Sequence, residues 1–432
     1  MDARTGRYCV LGTGAAGLVM SRRLLEAGIE FDALDAGSGV GGLWASSPSH
    51  GPLYRNTHLI SPKRLQAFVD FPMPADYPDF PHYSLALQYL ERYATHFKLL
   101  PHIEFGARVI RVEPDGDNWT VALSSGEMRT YRGVMIATGK HALPESPAFP
   151  GRFDGLIRHS RDYCDAAGLR GLRVLVVGAG QSAIDLVAES AVVADRTFHS
   201  TRRGLFSMPR YLLGKPFEEH LQSDLPLHDL SVRLSVPLLK LLGKAPAGCQ
   251  LPPLDFHEGL IHPTVGREFF RFYQQGDVTV KPAITELCGN TVRFSDGTTE
   301  EIDAIYCATG YRLEYPFIDR PLLNWPEPAP RPDLYLYTFA PDSDSLFVLG
   351  MMQPLGAHWT TYDEQAQLVI AFLQMRERGG ARLEAFRQRR RAERPRLDGG
   401  IDFYRARQKP IADLDKISFR HRARQLQRWM RN

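Results

Sequence analysis

The sequence has few cysteines, no long apolar run and no excess of either charge, and each lack removes a class of protein. Its five cysteines (Cys9, Cys164, Cys249, Cys288 and Cys307) are odd in number and contain no C-x-x-C pair. That pattern argues against a disulfide framework and against a zinc ribbon, so no metal is expected and a reducing, cytoplasmic setting fits best. Lys and Arg number 52 against 49 Asp and Glu, a formal charge of +3 that gives no sign of a nucleic-acid partner. No run reaches the roughly 18 apolar residues of a membrane span, and Leu234 to Leu242 is broken by Pro237 and Lys240. Arg4 and Arg7 ahead of the mostly uncharged stretch Tyr8 to Ser21 imitate the opening of a secretory signal. Gly12, Gly14 and Gly17 would weaken a signal helix, yet they fall where a strand turns tightly into a helix, so a secreted protein is not expected.

What is present is a repeated unit. At roughly 150 residues per domain, a chain of 432 residues holds two or three domains. Tyr8 to Leu11 reads as a buried strand, Leu18 to Ala27 as an amphipathic helix ended by Gly28, and Ile29 to Leu34 as a second strand. The same order returns with Arg173 to Val177, Ala183 to Ala191 and Arg196 to Ser200. Between the two units, Ile103 to Val112 and Trp119 to Leu123 alternate about the turn Asp115-Gly116 and predict an antiparallel layer. Thr291 to Phe294 and Glu301 to Tyr306, about Asp296-Gly297, predict a second hairpin. The Pro- and Leu-rich stretch from Leu205 to Pro263 has no clear period and reads as an irregular insertion, a candidate lid. After Arg376 the chain turns basic, with Arg387, Arg389, Arg390 and Arg391, and reads as solvated helices with a charged outer face.

The repeated unit carries chemistry at its turns. In Gly12-Thr13-Gly14-Ala15-Ala16-Gly17 the first glycine permits the turn, the second lets backbone approach a pyrophosphate, and the third lets helix and strand pack closely. Asp35, at the end of the next strand, suits the ribose hydroxyls of a bound dinucleotide. Gly178-Ala179-Gly180-Gln181-Ser182-Ala183 repeats the arrangement, with Ala183 in the third place. No acid follows it; Arg202 and Arg203 stand there instead, which suits the 2′-phosphate of NADP over NAD. Two different nucleotide sites in one chain imply electron transfer between a nicotinamide and a tightly held partner, for which FAD is the usual choice. A disulfide reductase would need a cysteine pair beside the flavin. None exists, so oxygen or a small acceptor remains.

At this point the residues resemble the flavin-containing monooxygenase family, of the bacterial type. Its fingerprint F-x-G-x-x-x-H-x-x-x-Y is matched by Phe153, Gly155, His159 and Tyr163, and Tyr163 is unlike the Trp typical of the Baeyer-Villiger branch. Further likeness lies in Gly41-Gly42-Leu43-Trp44, Asp70-Phe71-Pro72, Ala137-Thr138-Gly139, Ala308-Thr309-Gly310-Tyr311 and Gln353-Pro354-Leu355-Gly356, so the resemblance runs from about residue 8 to about 375. It implies an α/β, glutathione-reductase-like fold with two Rossmann-like, three-layer ββα dinucleotide-binding domains. The expected division is FAD domain 1–168, NADPH domain 169–303 with the insertion at about 205–263, and a second FAD part with the basic helices at 304–432. It also implies that NADPH reduces the flavin, that a C4a-hydroperoxyflavin forms with O2, and that oxygen passes to a small-molecule nitrogen or sulfur. Gly42, Leu43, Trp44, Val109, Ala137, Thr138, Thr309 and Gly310 are then expected at the cofactors, Gln353 near the isoalloxazine ring, and His159 in a structural or domain-coupling role.

One departure bears on the substrate. In animal-type members an Asn sits near the flavin ring, whereas alignment through Tyr54, Lys63 and Asp70-Phe71-Pro72 places Ile60 there. His58, Ser61 or Asn56 is left to supply that hydrogen bond, and His58-Leu59 with Pro62-Lys63 looks more like the plant auxin-forming branch, which acts on 2-oxo acids. An oxygenase of a 2-oxo acid or carbonyl compound therefore stays open, as does a redox-responsive FAD and NADP binder that does not oxygenate. A homodimer is compatible with either.

Overall fold

A computed structural model describes residues 2–45, 53–221, 237–254, 263–397 and 412–431. Of the expected insertion, 222–236 and 255–262 lie outside the described residues.

The first sheet takes β1 (Asp2–Leu11), β2 (Phe31–Asp35), β3 (Ile103–Phe105), β4 (Val109–Asp115), β5 (Asn118–Leu123) and β6 (Met128–Ile136), with α1 (Ala15–Glu26) between β1 and β2. Its order is β3-β2-β1-β6-β5-β4, and strand Leu346–Val348 adds in parallel to the far half of β6. The links β1 to β2, β1 to β6 and β2 to β3 are parallel; β4-β5-β6 is an antiparallel meander that β6 shares with the parallel sheet. The period of two sets the two faces of β1. Tyr8 and Val10 join the core under α1, while Cys9 and Leu11 join the core under the meander. The arginines that imitate a signal are strand residues: Arg4 and Arg7 pair with Asp32 of β2, at 2.5 and 2.6 Å.

The second sheet repeats the plan with β7 (Leu156–His159), β8 (Arg173–Val177), α2 (Gln181–Val193), β9 (Arg196–Ser200), β10 (Val278–Lys281) and β11 (Ala304–Cys307). All its links are parallel, in the order β10-β9-β8-β11-β7. Val174 and Val176 face α2, whereas Leu175 faces a layer formed by Ile284–Gly289, Thr291–Phe294 and Thr299–Glu301 with Gly151–Phe153 at its edge. Both sheets thus carry helices on one face and antiparallel strands on the other, the three-layer arrangement expected.

Three expectations need correction. Ile103–Phe105 is the parallel edge of the first sheet and not a member of the antiparallel layer, because its partner is Ala33–Asp35. The second hairpin closes with Thr299–Glu301, and Ala304–Cys307 crosses into the second sheet together with Leu156–His159, so that sheet reaches past 169–303 at both ends. The basic C-terminal helices are not mere solvated faces. After α3 (Trp359–Arg378), α4 (Ala381–Ala392) sets Arg390 against Asp344 at 2.7 Å and Arg391 against Asp342 at 2.8 Å. The last helix, α5 (Lys416–Arg431), buries Phe419, Ala423, Leu426 and Met430 in the first core and pairs Arg420 with Glu364 of α3 at 2.6 Å. Among the described residues no helix is long and apolar enough to cross a membrane, and no cluster could hold a metal ion.

Candidate active site

The first cradle is the turn from β1 into α1. Gly12 has φ +95°, and a Cβ there would stand 2.7 Å from the Ala137 carbonyl oxygen; a Cβ on Gly17 would overlap the Gly12 oxygen. Both contacts are backbone, so neither can yield to a side chain. Gly14 occupies the N-cap of α1 without any side-chain cap, which leaves the first-turn N–H groups turned toward an incoming anion. Ala15 and Ala16 begin the helix as buried residues. The Gly41-Gly42-Leu43-Trp44 segment closes over this turn: Gly41 N–H donates to Thr13 O at 3.0 Å, and a Cβ on Gly42 would stand 2.9 Å from the Gly14 Cα. Trp44 meets Trp359 edge-on at 6.1 Å. Asp35 braces the same turn, accepting from Thr13 N–H at 2.6 Å, the Thr13 hydroxyl at 2.7 Å and Gly37 N–H at 2.8 Å. Ala137, just past β6, is buried and Thr138 is exposed beside it, while Val109 opens β4 half-buried. A cradle that admits only glycine and presents uncapped N–H groups fits a dinucleotide pyrophosphate.

The second cradle has the same construction. A Cβ on Gly178 would overlap the Ala308 oxygen, whereas Gly180, at the uncapped N-cap of α2, has nothing within 4 Å of its Cβ position. Ser182 lies half-buried in the first turn of that helix. Gln181 is committed elsewhere: its carbonyl accepts from Val265 N–H at 2.9 Å and its amide donates to Asp185 at 3.0 Å, splinting α2 to the insertion. Arg202 is exposed and Arg203 half-buried just past β9, where the missing acid would stand.

The fingerprint residues lie on the second sheet, where His159 ends β7 and its partner Gly310 follows the neighbouring strand β11. His159 Nδ1 accepts from Arg161 N–H at 3.1 Å, so the ring proton sits on Nε2 and is donated to Gly310 O at 3.0 Å. Burial lowers the pKa of His159, which keeps this neutral form. Gly310 O also accepts from Glu145 N–H at 2.9 Å, and the Thr309 hydroxyl donates to the Glu145 oxygen. Tyr163 donates to Glu189 of α2 and Tyr54 donates to Asp185 one turn earlier. Burial raises the Asp185 pKa to about 6, against the pull of Tyr54 and Gln181. Spacing gave no sign of this paired contact, because Tyr54 and Asp185 lie 131 positions apart.

A third assembly forms around the turn after Gln353. Strand β12 (Met352–Pro354) pairs in parallel with β13 (Ala412–Leu414). The N–H groups of the turn then go to separate parts of the chain: Leu355 to Leu414 O at 3.1 Å, Ala357 to Glu218 Oε1 at 2.6 Å, and His358 to Gln66 Oε1 at 3.1 Å. The Ser61 side chain lies close enough to the same Glu218 carboxyl to hold its pKa down against burial. Lys140, buried just past the first Ala-Thr-Gly, donates to Met352 O at 3.0 Å. Of the residues expected to serve near the ring, Ser61 and Gln353 are thus gathered on one turn. His58 stands apart: it is exposed, with Nδ1 2.7 Å from Asn56 O and its ring edge-on to His82. Asn56 turns to Glu189 at 3.2 Å. Glu218 and Lys140 were missed by sequence reasoning. The sequence marked neither, since Glu218 is one of six acids between Leu205 and Pro263.

Comparison with known proteins agrees with this geometry. The flavin-binding monooxygenase-like family matches residues 5–378. The chain belongs to that family. It is 31% identical over 389 residues to the N-oxide-forming dimethylaniline monooxygenase 2 of Cavia porcellus, spanning 84% of this chain and 72% of that protein. It is 31% identical over 384 residues to flavin-containing monooxygenase 5 of Homo sapiens, spanning 81% of this chain and 70% of that protein. Among solved structures, the flavin-containing monooxygenase from Stenotrophomonas maltophilia superposes with TM-score 0.65 at 22% identity, covering 86% of this chain and all (100%) of that one. The closed form of cyclohexanone monooxygenase gives TM-score 0.70 at 16% identity, covering 98% of this chain and 97% of that one. As a member of the flavin-binding monooxygenase-like family, the protein is an FAD-dependent, NADPH-using monooxygenase of glutathione-reductase-like fold.

Proposed function

We propose that the protein uses NADPH and O2 to add one oxygen atom to a nucleophilic nitrogen or sulfur of a small molecule. The observation that supports this reading most is the pair of uncapped glycine cradles at Gly14 and Gly180, with Tyr54 reaching across to Asp185 on the helix that the second cradle opens. The kinship with N-oxide-forming enzymes points to nitrogen or sulfur as the atom attacked. Bound flavin supplies the chemistry of O2 activation: NADPH gives a hydride, one oxygen atom leaves as water with a solvent proton, and the other bonds to the substrate.

The protein's own part is to bind, orient and exclude water. The N-terminus of α1 with Asp35 holds FAD, and the N-terminus of α2 with Ser182, Arg202 and Arg203 holds NADPH. Leu43, Trp44, Val109, Ala137, Thr138, Thr309 and Gly310 flank the cofactors. Ser61 and Gln353 supply fixed polar groups at the ring, and buried Leu59, Ala357 and Trp359 keep water from the reacting oxygen. A cytoplasmic setting and a homodimer complete the reading, with substrate and O2 as partners and no nucleic acid. The test is to follow NADPH and O2 consumption with product analysis on amines, sulfides and 2-oxo acids. Formation of N-oxide or sulfoxide in step with NADPH is expected; an FAD-loaded protein that turns every panel into peroxide alone would refute it. Oxidation confined to 2-oxo acids would favour the second reading, which Ile60 in the place of the family Asn keeps in view.

A further inference from the structure

Glu218 belongs to the short helix Phe217–His220 of the insertion. Its neighbour Phe217 is buried with Phe206, Met208 and Leu239, a small core that fixes this helix within the insertion. The Glu218 side chain leaves that core and ends on the turn after Gln353, where it accepts from Ala357 N–H at 2.6 Å and lies beside the Ser61 side chain. The turn is shaped to receive it. Gly356 has φ +90°, and a Cβ there would overlap the carboxyl oxygen of Glu218. The adjoining N–H groups of Leu355 and His358 are taken by Leu414 and Gln66, so insertion, first domain and C-terminal strand all close on one turn. Buried Lys416, at the start of α5, sets a positive charge near Glu218. Leu414 and Lys416 lie beyond residue 378, where the family match ends.

We propose that Glu218 is a positioning residue that clamps the insertion onto the turn after Gln353, and that oxygen transfer stays coupled to NADPH oxidation only while this clamp is closed. The proposal rests on the monooxygenase reading for its second half and on geometry alone for its first. A turn whose Leu355, Ala357 and His358 N–H groups are each held cannot drift from the flavin ring, and a seated insertion keeps water out; with the carboxyl removed, Ala357 N–H loses its acceptor and the reactive oxygen meets solvent.

The test compares wild type with Glu218→Ala and Glu218→Gln in the FAD-loaded full chain. Hydrogen exchange is read at Ala357 without substrate, and the fraction of NADPH electrons recovered as peroxide is read with a sulfide present. Glu218→Ala should speed exchange at Ala357 by about tenfold or more and raise the peroxide fraction several-fold. Glu218→Gln keeps an acceptor and should restore most of both. Gly356→Ala, which displaces the carboxyl without removing it, should reproduce the alanine phenotype and serves if Glu218→Ala fails to fold. Wild-type exchange in both Glu218→Ala and Gly356→Ala would overturn the clamp. Fast exchange with an unchanged peroxide fraction would overturn its link to coupling. If wild type itself oxygenates nothing, the functional reading fails while the exchange measurement still decides the clamp.

Discussion

Asp185 offers a quantitative handle on the contact between the two domains. Burial lifts its pKa from 3.8 to about 6. The folded state therefore holds this proton more tightly than the unfolded chain does, and the stability that the protonated carboxyl allows is lost as pH rises from about 4 through 6. A shift of about two units at about 1.4 kcal/mol each means that keeping Asp185 ionised costs about 3 kcal/mol at pH 8. At pH 5 the folded carboxyl is mostly protonated and about half of that cost is relieved. Asp185→Asn removes the titration and keeps the geometry: the Asn oxygen accepts from Gln181 as the carboxylate does, and the Asn amide donates to Tyr54, whose hydroxyl turns to accept. The variant should be more stable than wild type at pH 8, and the gap should narrow by about half at pH 5. Urea midpoints of the two proteins at both pH values, at one FAD concentration, measure this directly. Parallel pH profiles would refute the argument, since they would mean that Asp185 ionises alike in both states.

Other consequences can be checked one residue at a time. Gly17→Ala drives a methyl group into the Gly12 carbonyl and should abolish FAD binding, so a yellow protein with full flavin content would overturn the cradle. Arg202→Ala should weaken NADPH by about tenfold or more while leaving NADH nearly unchanged; equal losses would remove the 2′-phosphate role. His159→Ala takes away the donor to Gly310 O and should lower stability by about 1–3 kcal/mol, read as a lower denaturant midpoint, whereas an unchanged midpoint would show that the crossover holds without it.

The parts legible in the sequence share one property: their cause is local. Strands Arg173–Val177 and Arg196–Ser200 fall where the strand-helix-strand order places them, and both glycine turns are marked by the spacing of glycines within six residues. What the sequence could not show are pairings between distant segments. Whether Ile103–Phe105 joins β2 or the meander depends on which edge is free, and whether Ala304–Cys307 closes a hairpin or enters a parallel sheet depends on a slot between β8 and β7. The basic tail looked solvated because charge counts do not reveal partners; Asp344 and Glu364, which neutralise Arg390 and Arg420, lie tens of residues upstream. By the same logic Ser61 could be named from its place near Ile60, but its partner Glu218 could not. Sequence alone located the two glycine turns, since each motif is written in six consecutive residues, although Ala137 and Ala308, which forbid a side chain at Gly12 and Gly178, come from distant strand ends. Only the tertiary structure decided what surrounds the turn after Gln353, because Gln66, Glu218 and Leu414 meet there through packing of separate elements and not through any spacing along the chain.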